Sequence, residues 1–321
     1  MSHVIDIIVP IYNRETDIPR LISDMNRQSF SDFRIVFVDD GSTDHSWDIL
    51  NQHLSRADFP YLLMKKKNGG AASARNSGLR MATAEWVCFL DSDDAYHPQY
   101  LEHMLHAARQ AEAPVVYCNY MIRFDGQRNH NMPNIPLCYQ KLTAQQAMAS
   151  FLNAWISPCC LLINRDFQSK NHLFFDDKCH YCEDIPFVAS VIAKADCVAH
   201  INSDLYFYYA HQGSLSRSPS TDKYLSGITC FERTAHDIIQ AKSPASNTFN
   251  KTAHARYYIA TLRKAAVQMR KSDFLALSKM IHFAQYKHQI SQLPLKQKIA
   301  CRLMLINATL FYHVSRLLFR D

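Results

Sequence analysis

A chain of 321 residues, 48% apolar and 20% charged, has the composition of a soluble globular protein with ample length for a packed core, which excludes a disordered chain. No run of about 18 apolar residues occurs, so no helix is expected to span a membrane, and the opening "MSHVIDIIVPIYN" lacks the marks of a secretory signal. The net charge of +6 is unevenly placed: residues 222–321 hold 16 Lys/Arg against 5 Asp/Glu, and residues 1–221 hold 19 against 24. The C-terminal part is built to meet something anionic.

"VIDIIVPIY" (4–12) is a short β-branched apolar run, broken by Asn13-Arg14, and reads as a buried strand. "DIPRLISDMNRQS" (17–29) carries apolar residues at 18, 21, 22 and 25, which is helical spacing. "FRIVFVDD" (33–40) is a second strand, and "SWDILNQHL" (46–54) a second helix with Ser42, Thr43 or Asp44 as its cap. "YLLMKK" is a short third strand, "AASARNSGLRMAT" (71–83) a helix after Asn68-Gly69-Gly70, and "EWVCFLD" the fourth strand. Alternation of this kind predicts a mostly parallel α/β sheet, with ligands held beyond the carboxyl ends of the strands.

Past residue 110, "APVVYCNYMIRF" and "CVAHINSDLYFYYAH" read as strand regions and "TAQQAMASFLNAW" as a helix. Helical patterns dominate after about residue 221, and the polar stretch 211–223 marks the best boundary. The ten cysteines are irregularly spaced, and "CHYC" (179–182) is a lone CxxC, short of the four ligands of a structural zinc. Reduced thiols in a cytoplasmic protein are expected.

The acid cluster Asp91, Asp93 and Asp94 in "FLDSDDAY" ends a buried strand and calls for a positive complement, because like charges beside a low-dielectric core repel. One reading is a divalent cation carrying phosphates, since hard cations prefer carboxylate oxygens. The other is a solvated acidic loop, with Asp94 as a helix cap. "VDDGSTD" (38–44) ends a second strand in acids and fits either contact with a nucleoside or plain turn chemistry. "NGGAASARNSGL" (68–79) opens a helix with small residues and projects Arg75 near an end that favours anions. Glu183-Asp184, beside apolar Ile185, Pro186, Phe187 and Val188, fits a general base with a raised pKa and equally a helix N-terminus.

In this order and at these distances, "IIVPIYN", "VDDGSTD", "NGGAASARNSGL", "FLDSDDA" and "CEDIPFV" resemble a family 2 glycosyltransferase of the GT-A fold. The resemblance runs over residues 5–190 and thins after about residue 217. It implies a Rossmann-like, mostly parallel sheet flanked by helices, with a helical C-terminal region. Residues 1–220 would be the transferase domain, 1–110 its nucleotide-sugar half and 111–220 its acceptor half, with the basic helical region over 221–321. Asp40 would contact the uracil of a UDP-sugar, in a pocket walled by Pro10, Tyr12 and Asn13. Arg75 would lie near the nucleotide, Gly70 would allow close approach, and Asp91 would hold the ribose or sugar side. Asp93, with Asp91 and His211, would bind Mn²⁺ or Mg²⁺, and Asp184 would be the catalytic base with Glu183 beside it. In "YYAHQGSLS", His211 and Ser214 fit the family's diphosphate-contacting segment, but Tyr209 stands where Arg is usual.

The resemblance thus implies an inverting, metal-assisted transferase acting on a cell-surface glycan or lipid-linked glycan acceptor, such as lipopolysaccharide, lipooligosaccharide or capsule, with no nucleic-acid partner. The acid cluster would find its complement in the arriving metal. A non-catalytic nucleotide-sugar-binding protein of the same fold is the alternative reading. A receiver domain would need only about 120 residues and a strand-end Lys, and a nucleotidyltransferase a Gly-rich loop where "PIYNRET" stands. Residues 295–321 place Leu295, Ile299, Leu303, Ile306, Leu310, Val314 and Leu317 on one helical stripe, with Lys296, Lys298, Arg302, Arg316 and Arg320 available to flank it. Such a helix would lie on the anionic inner face of the cell membrane, or pack on its own domain with a solvated basic face.

Overall fold

The computed structural model describes residues 3–124, 132–210 and 220–318. Strand β1 (Ile5–Ile11) is followed by α1 (Ile18–Met25), β2 (Phe33–Asp39), α2 (Ser46–Leu54), β3 (Tyr61–Lys65), α3 (Gly70–Met81) and β4 (Trp86–Phe89). These are the β/α alternations that the apolar runs predicted. The N-cap position of α2 falls on His45, which makes no side-chain cap bond, while Asp44 Oδ1 accepts from the Ser46 amide at 2.9 Å.

The chain continues through β5 (Ala95–Tyr96), α4 (Tyr100–Ala111), β6 (Val115–Phe124), β7 (Tyr139–Thr143) and α5 (Ala144–Asn153). Helix α5 starts at a capping box between Thr143 and Gln146. Then come β8 (Leu161–Asn164), α6 (Arg165–Lys170), α7 (Asp184–Lys194) and β9 (Cys197–Ala210).

The sheet runs in the order β3-β2-β1-β4-β8-β6-β9-β5, with β7 also on β9. Strand β1 is parallel to both neighbours, Ile5 lying opposite Phe33 and Trp86, and β3 extends the parallel part beyond β2. The sheet is mixed rather than mostly parallel. Strand β8 inserts antiparallel between β4 and β6, and β5 and β7 run antiparallel to β9. Strands β1, β2 and β4 are almost wholly buried because helices cover both faces, which is why they read as continuous apolar runs. Helix α3 lies so close to β1 that a Cβ on Gly78 would stand 2.4 Å from Ile8 Cγ2.

The remaining elements are helices: α8 (Thr221–Gln240), α9 (Pro244–Gln268), α10 (Lys271–Met280), α11 (Lys287–Ile290), α12 (Leu295–Ile306) and α13 (Ala308–Leu318). Their buried residues join the core of the sheet domain: α9 packs on α5, α7 and α8, with the Phe231 and Tyr257 rings stacked at 4.0 Å. No helix among the described residues is long and apolar enough to cross a membrane.

The single helix expected over 295–321 is two helices. Asn307 adopts an extended conformation (φ −152°, ψ 96°), and its side-chain oxygen accepts from the Leu310 amide at 2.9 Å, capping α13. Most of the expected stripe does not face the domain either, although Leu303 packs on the core and Val314 is half-buried. Cys301, Met304, Phe311, Tyr312 and Ser315 face inward, while Ile306 is 84% and Leu317 81% exposed. Leu295, Ile299 and Leu310 are exposed as well.

Candidate active site

The polar ends of β1, β2 and β4 meet on one side of the parallel part of the sheet, as parallel register requires. After β1 the chain turns sharply at Asn13, which has φ +53°. The Asn13 amide donates to Ser42 Oγ at 3.1 Å, and Asn13 Oδ1 accepts from the Thr43 amide at 2.9 Å. These bonds lace the turn after β1 to the turn after β2. Pro10 is half-buried, and Tyr12 presents an exposed ring.

The buried Asp40 carboxylate accepts three donors: Lys66 Nζ at 2.6 Å, the Gly69 amide at 3.0 Å and the Gly70 amide at 2.7 Å. It therefore holds the segment that leads into α3. Gly70 has φ +86°, and nothing lies within 4 Å of where its Cβ would stand, so backbone approach there is open. Asp39 is fully buried and uses one oxygen for the Ser42 amide at 3.2 Å.

The acid cluster after β4 has a complement within the protein, which corrects the expectation of a purely external one. Arg75, buried on α3, donates to Asp91 Oδ1 at 2.7 Å and to Glu183 Oε1 at 2.9 Å, with its guanidinium over the Phe175 ring. Burial opposes its charge, but Asp91 and Glu183 outweigh burial and hold it well above the ordinary arginine range. Arg14, from the turn after β1, pairs with Asp93 at 2.9 Å. Burial still pushes the Asp93 carboxyl up, because Arg14 offsets it only in part and Asp91 repels.

Asp94 is no helix cap. It is buried, accepts from the Tyr206 hydroxyl and from the Tyr209 amide at 2.8 Å, and burial raises its pKa well above the usual range. Arg20 supports the loop from outside, donating to the Asp94 carbonyl at 2.9 Å.

Glu183 and Asp184 stand at the start of α7, where the helix dipole favours carboxylates. Asp184 is half-buried, and its Oδ1 accepts from the Ile185 amide at 3.0 Å. Burial and the charge of Glu183 push its carboxyl up to about 6, against the pull of Arg75. Asn76, next to Arg75, clasps the segment before α7: it donates to the Phe175 carbonyl at 2.8 Å and accepts from the Phe175 amide at 2.9 Å.

The structure thus brings Asp91, Arg75 and Glu183 into one bonded group, with Asp93 two residues from Asp91 and Asp184 next to Glu183. Asp40 and Gly70 form a second group at the mouth of α3. His211 and Ser214 lie outside the described residues. Arg14, Lys66 and Asn76 were missed as site residues. Arg14 directly follows Asn13 and Lys66 extends the third strand, so strand-end position was a usable signal for both. As for a metal, no cluster of three or more His, Cys, Asp or Glu able to hold one occurs among the described residues. Asp91 engages Arg75 through Oδ1 and Asp93 engages Arg14 through Oδ2, and the two carboxylates are hard oxygen donors of the kind that Mg²⁺ or Mn²⁺ takes from a protein when phosphates and water complete the shell.

Comparison with known proteins bears on the family and the fold. The family model described as "Glycosyl transferase family 2" matches residues 6–170. The uncharacterised glycosyltransferase EpsJ of Bacillus subtilis is 28% identical over 232 residues, covering 70% of this chain and 67% of that protein. Among solved structures, S. aureus TarS 1–349 in complex with UDP-GlcNAc superposes with a TM-score of 0.68 at 17% identity, covering all of this chain and 92% of that one. The mannosyltransferase PcManGT of Pyrobaculum calidifontis, in complex with GDP-Man and Mn²⁺, gives 0.58 at 14% identity, covering all of this chain and 89% of that one. With the family model matched over half of the chain and the mixed, helix-flanked sheet shared with these structures, the chain belongs to glycosyltransferase family 2 and has the GT-A fold.

Proposed function

We propose that the protein is an inverting transferase that moves a sugar from a UDP-sugar to a hydroxyl of a cell-surface glycan. The observation that carries this reading is Asp184: a half-buried carboxylate pushed up to about 6, adjoining the Glu183–Arg75–Asp91 group. Such a group is ionised at neutral pH yet basic enough to accept a proton in the transition state. The acceptor hydroxyl gives its proton to Asp184 as its oxygen bonds to the anomeric carbon. The bond from that carbon to the diphosphate breaks, and UDP leaves with the electron pair. Attack opposite the leaving group inverts the anomeric centre.

Pro10, Tyr12 and Asn13 wall the base pocket in this proposal, with Asp40 as the carboxylate that meets uracil by exchanging one of its present donors. Asp91 orients the sugar side, and Arg75 holds Asp91 and Glu183 in register. His211 and Ser214 are assigned to the diphosphate on the resemblance alone. Asp93 and Asp91 would hold Mn²⁺ or Mg²⁺, with His211 as a further ligand, and the ion when bound would neutralise charge on the diphosphate. The TarS complex with UDP-GlcNAc and the PcManGT complex with GDP-Man and Mn²⁺ support a nucleotide-sugar donor and a divalent ion. Residues 1–220 carry this chemistry as one domain in the proposal, and the region from 221 serves location.

The test is a panel of nucleotide sugars with Mn²⁺, read by released nucleotide and by thermal shift. UDP with Mn²⁺ is expected to stabilise the protein, and Asp93→Asn to lose that gain while its unliganded melting temperature stays close to the parent's. Equal protection of the variant would remove Asp93 from the ion site.

The proposal also places the protein on the cytoplasmic face of the cell membrane, held by α12 and α13. Their exposed Ile299, Ile306, Leu310 and Leu317, with Lys296, Lys298 and Arg302 nearby in sequence, suit an apolar boundary beneath anionic headgroups. Each engaged cation is worth about 1 kcal/mol, so three or four give an affinity that falls with salt. Anionic liposomes are expected to sediment the protein at low salt but not at high salt. The double variant Ile306→Glu with Leu317→Glu should stay in the supernatant at both. Unchanged sedimentation would return the stripe to plain surface.

A further inference from the structure

Beside the site, β6 carries exposed apolar residues that neither the fold nor the donor chemistry explains. Tyr120, Met121 and Ile122 are 41%, 42% and 52% exposed, which is unusual for consecutive residues of a strand inside a sheet. Strand β6 meets β8 only through Val115–Tyr117, so among the described residues its later part has β9 alone as a strand neighbour. In the parallel β6–β9 register Tyr120 lies opposite Tyr206, and Ile122 opposite Tyr208, so these four share one face of the sheet. That face is the one from which Tyr206 donates to Asp94 in the acid loop. The charge of Asp184 acts on the Tyr120 phenol, which is held above its usual pKa chiefly by burial of its inner side. Tyr120 is thus part-exposed, on the sheet face of Tyr206, and near enough to Asp184 for the carboxylate's charge to bear on its phenol.

Resting on the transferase reading above, we propose that Tyr120, flanked by Ile122 and Tyr208, is the platform on which a pyranose ring of the acceptor stacks, presenting a hydroxyl to Asp184. A pyranose offers one face of axial C–H bonds, which suits an aromatic face, while its rim of hydroxyls stays free for water and for the base. In the sheet, β1, β4 and β8 lie between β2, which leads to Asp40, and β6, which carries Tyr120, so donor and acceptor need not compete. Met121 points to the opposite face and takes no part.

The test separates acceptor binding from turnover. Methyl β-D-galactopyranoside, methyl β-D-glucopyranoside and the methyl β-glycoside of N-acetylglucosamine are titrated against the full-length protein with UDP and Mn²⁺. Binding is followed by saturation-transfer NMR, and the matching octyl glycosides are run in parallel. At least one methyl glycoside is expected to bind the parent protein. Tyr120→Ala should weaken it about tenfold, as loss of an aromatic platform implies. Tyr120→Phe, which keeps the ring, should bind like the parent. The thermal gain from UDP with Mn²⁺ should be equal in all three, which shows an intact donor site.

No saturation transfer to any methyl glycoside overturns the proposal, as does equal binding by Tyr120→Ala. Loss confined to the octyl glycosides also overturns it, making the strip a lipid-chain surface instead. Failure of the transferase reading would look different: no thermal gain from UDP in the parent protein, whatever the glycosides do.

Discussion

An Asp184→Asn variant is expected to bind UDP-sugar within a few-fold of the parent protein and to turn over roughly 10²–10⁴ times more slowly, the range of a missing general base. The amide keeps the shape of the side chain but cannot take a proton. The pH profile of the parent supplies a second reading of the same group. Burial and Glu183 push the Asp184 carboxyl up to about 6. The base works only when ionised, so turnover should be low below this value, rise through it and level off above. An ordinary aspartate would put the rise at about 4. A variant that keeps most of its turnover, or a profile flat from pH 5 to 8, would move the base elsewhere, with Glu183 the first candidate.

Arg75→Met carries the second large effect, and it falls on stability and on chemistry together. The buried guanidinium satisfies Asp91 and Glu183 at once, at 2.7 and 2.9 Å. Removing one partner of a buried ion pair costs about 3–5 kcal/mol, because the charges left behind lose their compensation. Asp91 and Glu183 keep some contact with water, so a loss of about 2–3 kcal/mol is expected, read as a lower denaturation midpoint. Arg75 also pulls the Asp184 carboxyl down. Its loss should therefore move the acid limb of the turnover profile upward from about 6. A variant with full stability and an unmoved acid limb would show that Arg75 does not organise the site.

Much of this was legible in the chain. Runs such as Ile5–Ile11 and Phe33–Asp39 are buried on both faces, and continuous β-branched stretches announce themselves without an alignment. Helix α2 fell on the expected residues 46–54 because its apolar spacing has no competitor. The short β8 and the two-residue β5 gave no usable pattern, since so few residues hold little periodicity and, unlike the four-residue β4, neither stood in the regular strand–helix alternation. The insertion of β8, with β5 and β7 antiparallel to β9, is what makes the sheet mixed. The Arg14–Asp93 and Lys66–Asp40 pairs join residues 79 and 26 apart: strand-end position marks Arg14 and Lys66 as candidates, but nothing local says which carboxylate each meets. The stop at Asn307 was hidden for another reason: the apolar period carries on across it, and only the Asn307 bond to Leu310 reveals a new helix start.

Arg75 and Asn76 are consecutive residues of one helix, and this has a bearing on tolerance. One reaches the acid loop and Glu183, and the other fastens the Phe175 backbone ahead of Asp184. The two carboxylate stations of the site, which come from loops more than ninety residues apart in the chain, are thus both measured from a single datum. Positional errors in those loops do not add, because each loop is gauged against α3 rather than against the other. Gly78, pressed on Ile8, seats that datum on the central strand of the parallel sheet. Side chains mounted on a seated helix hold the sub-ångström spacing that chemistry between two substrates demands, where loops alone would drift.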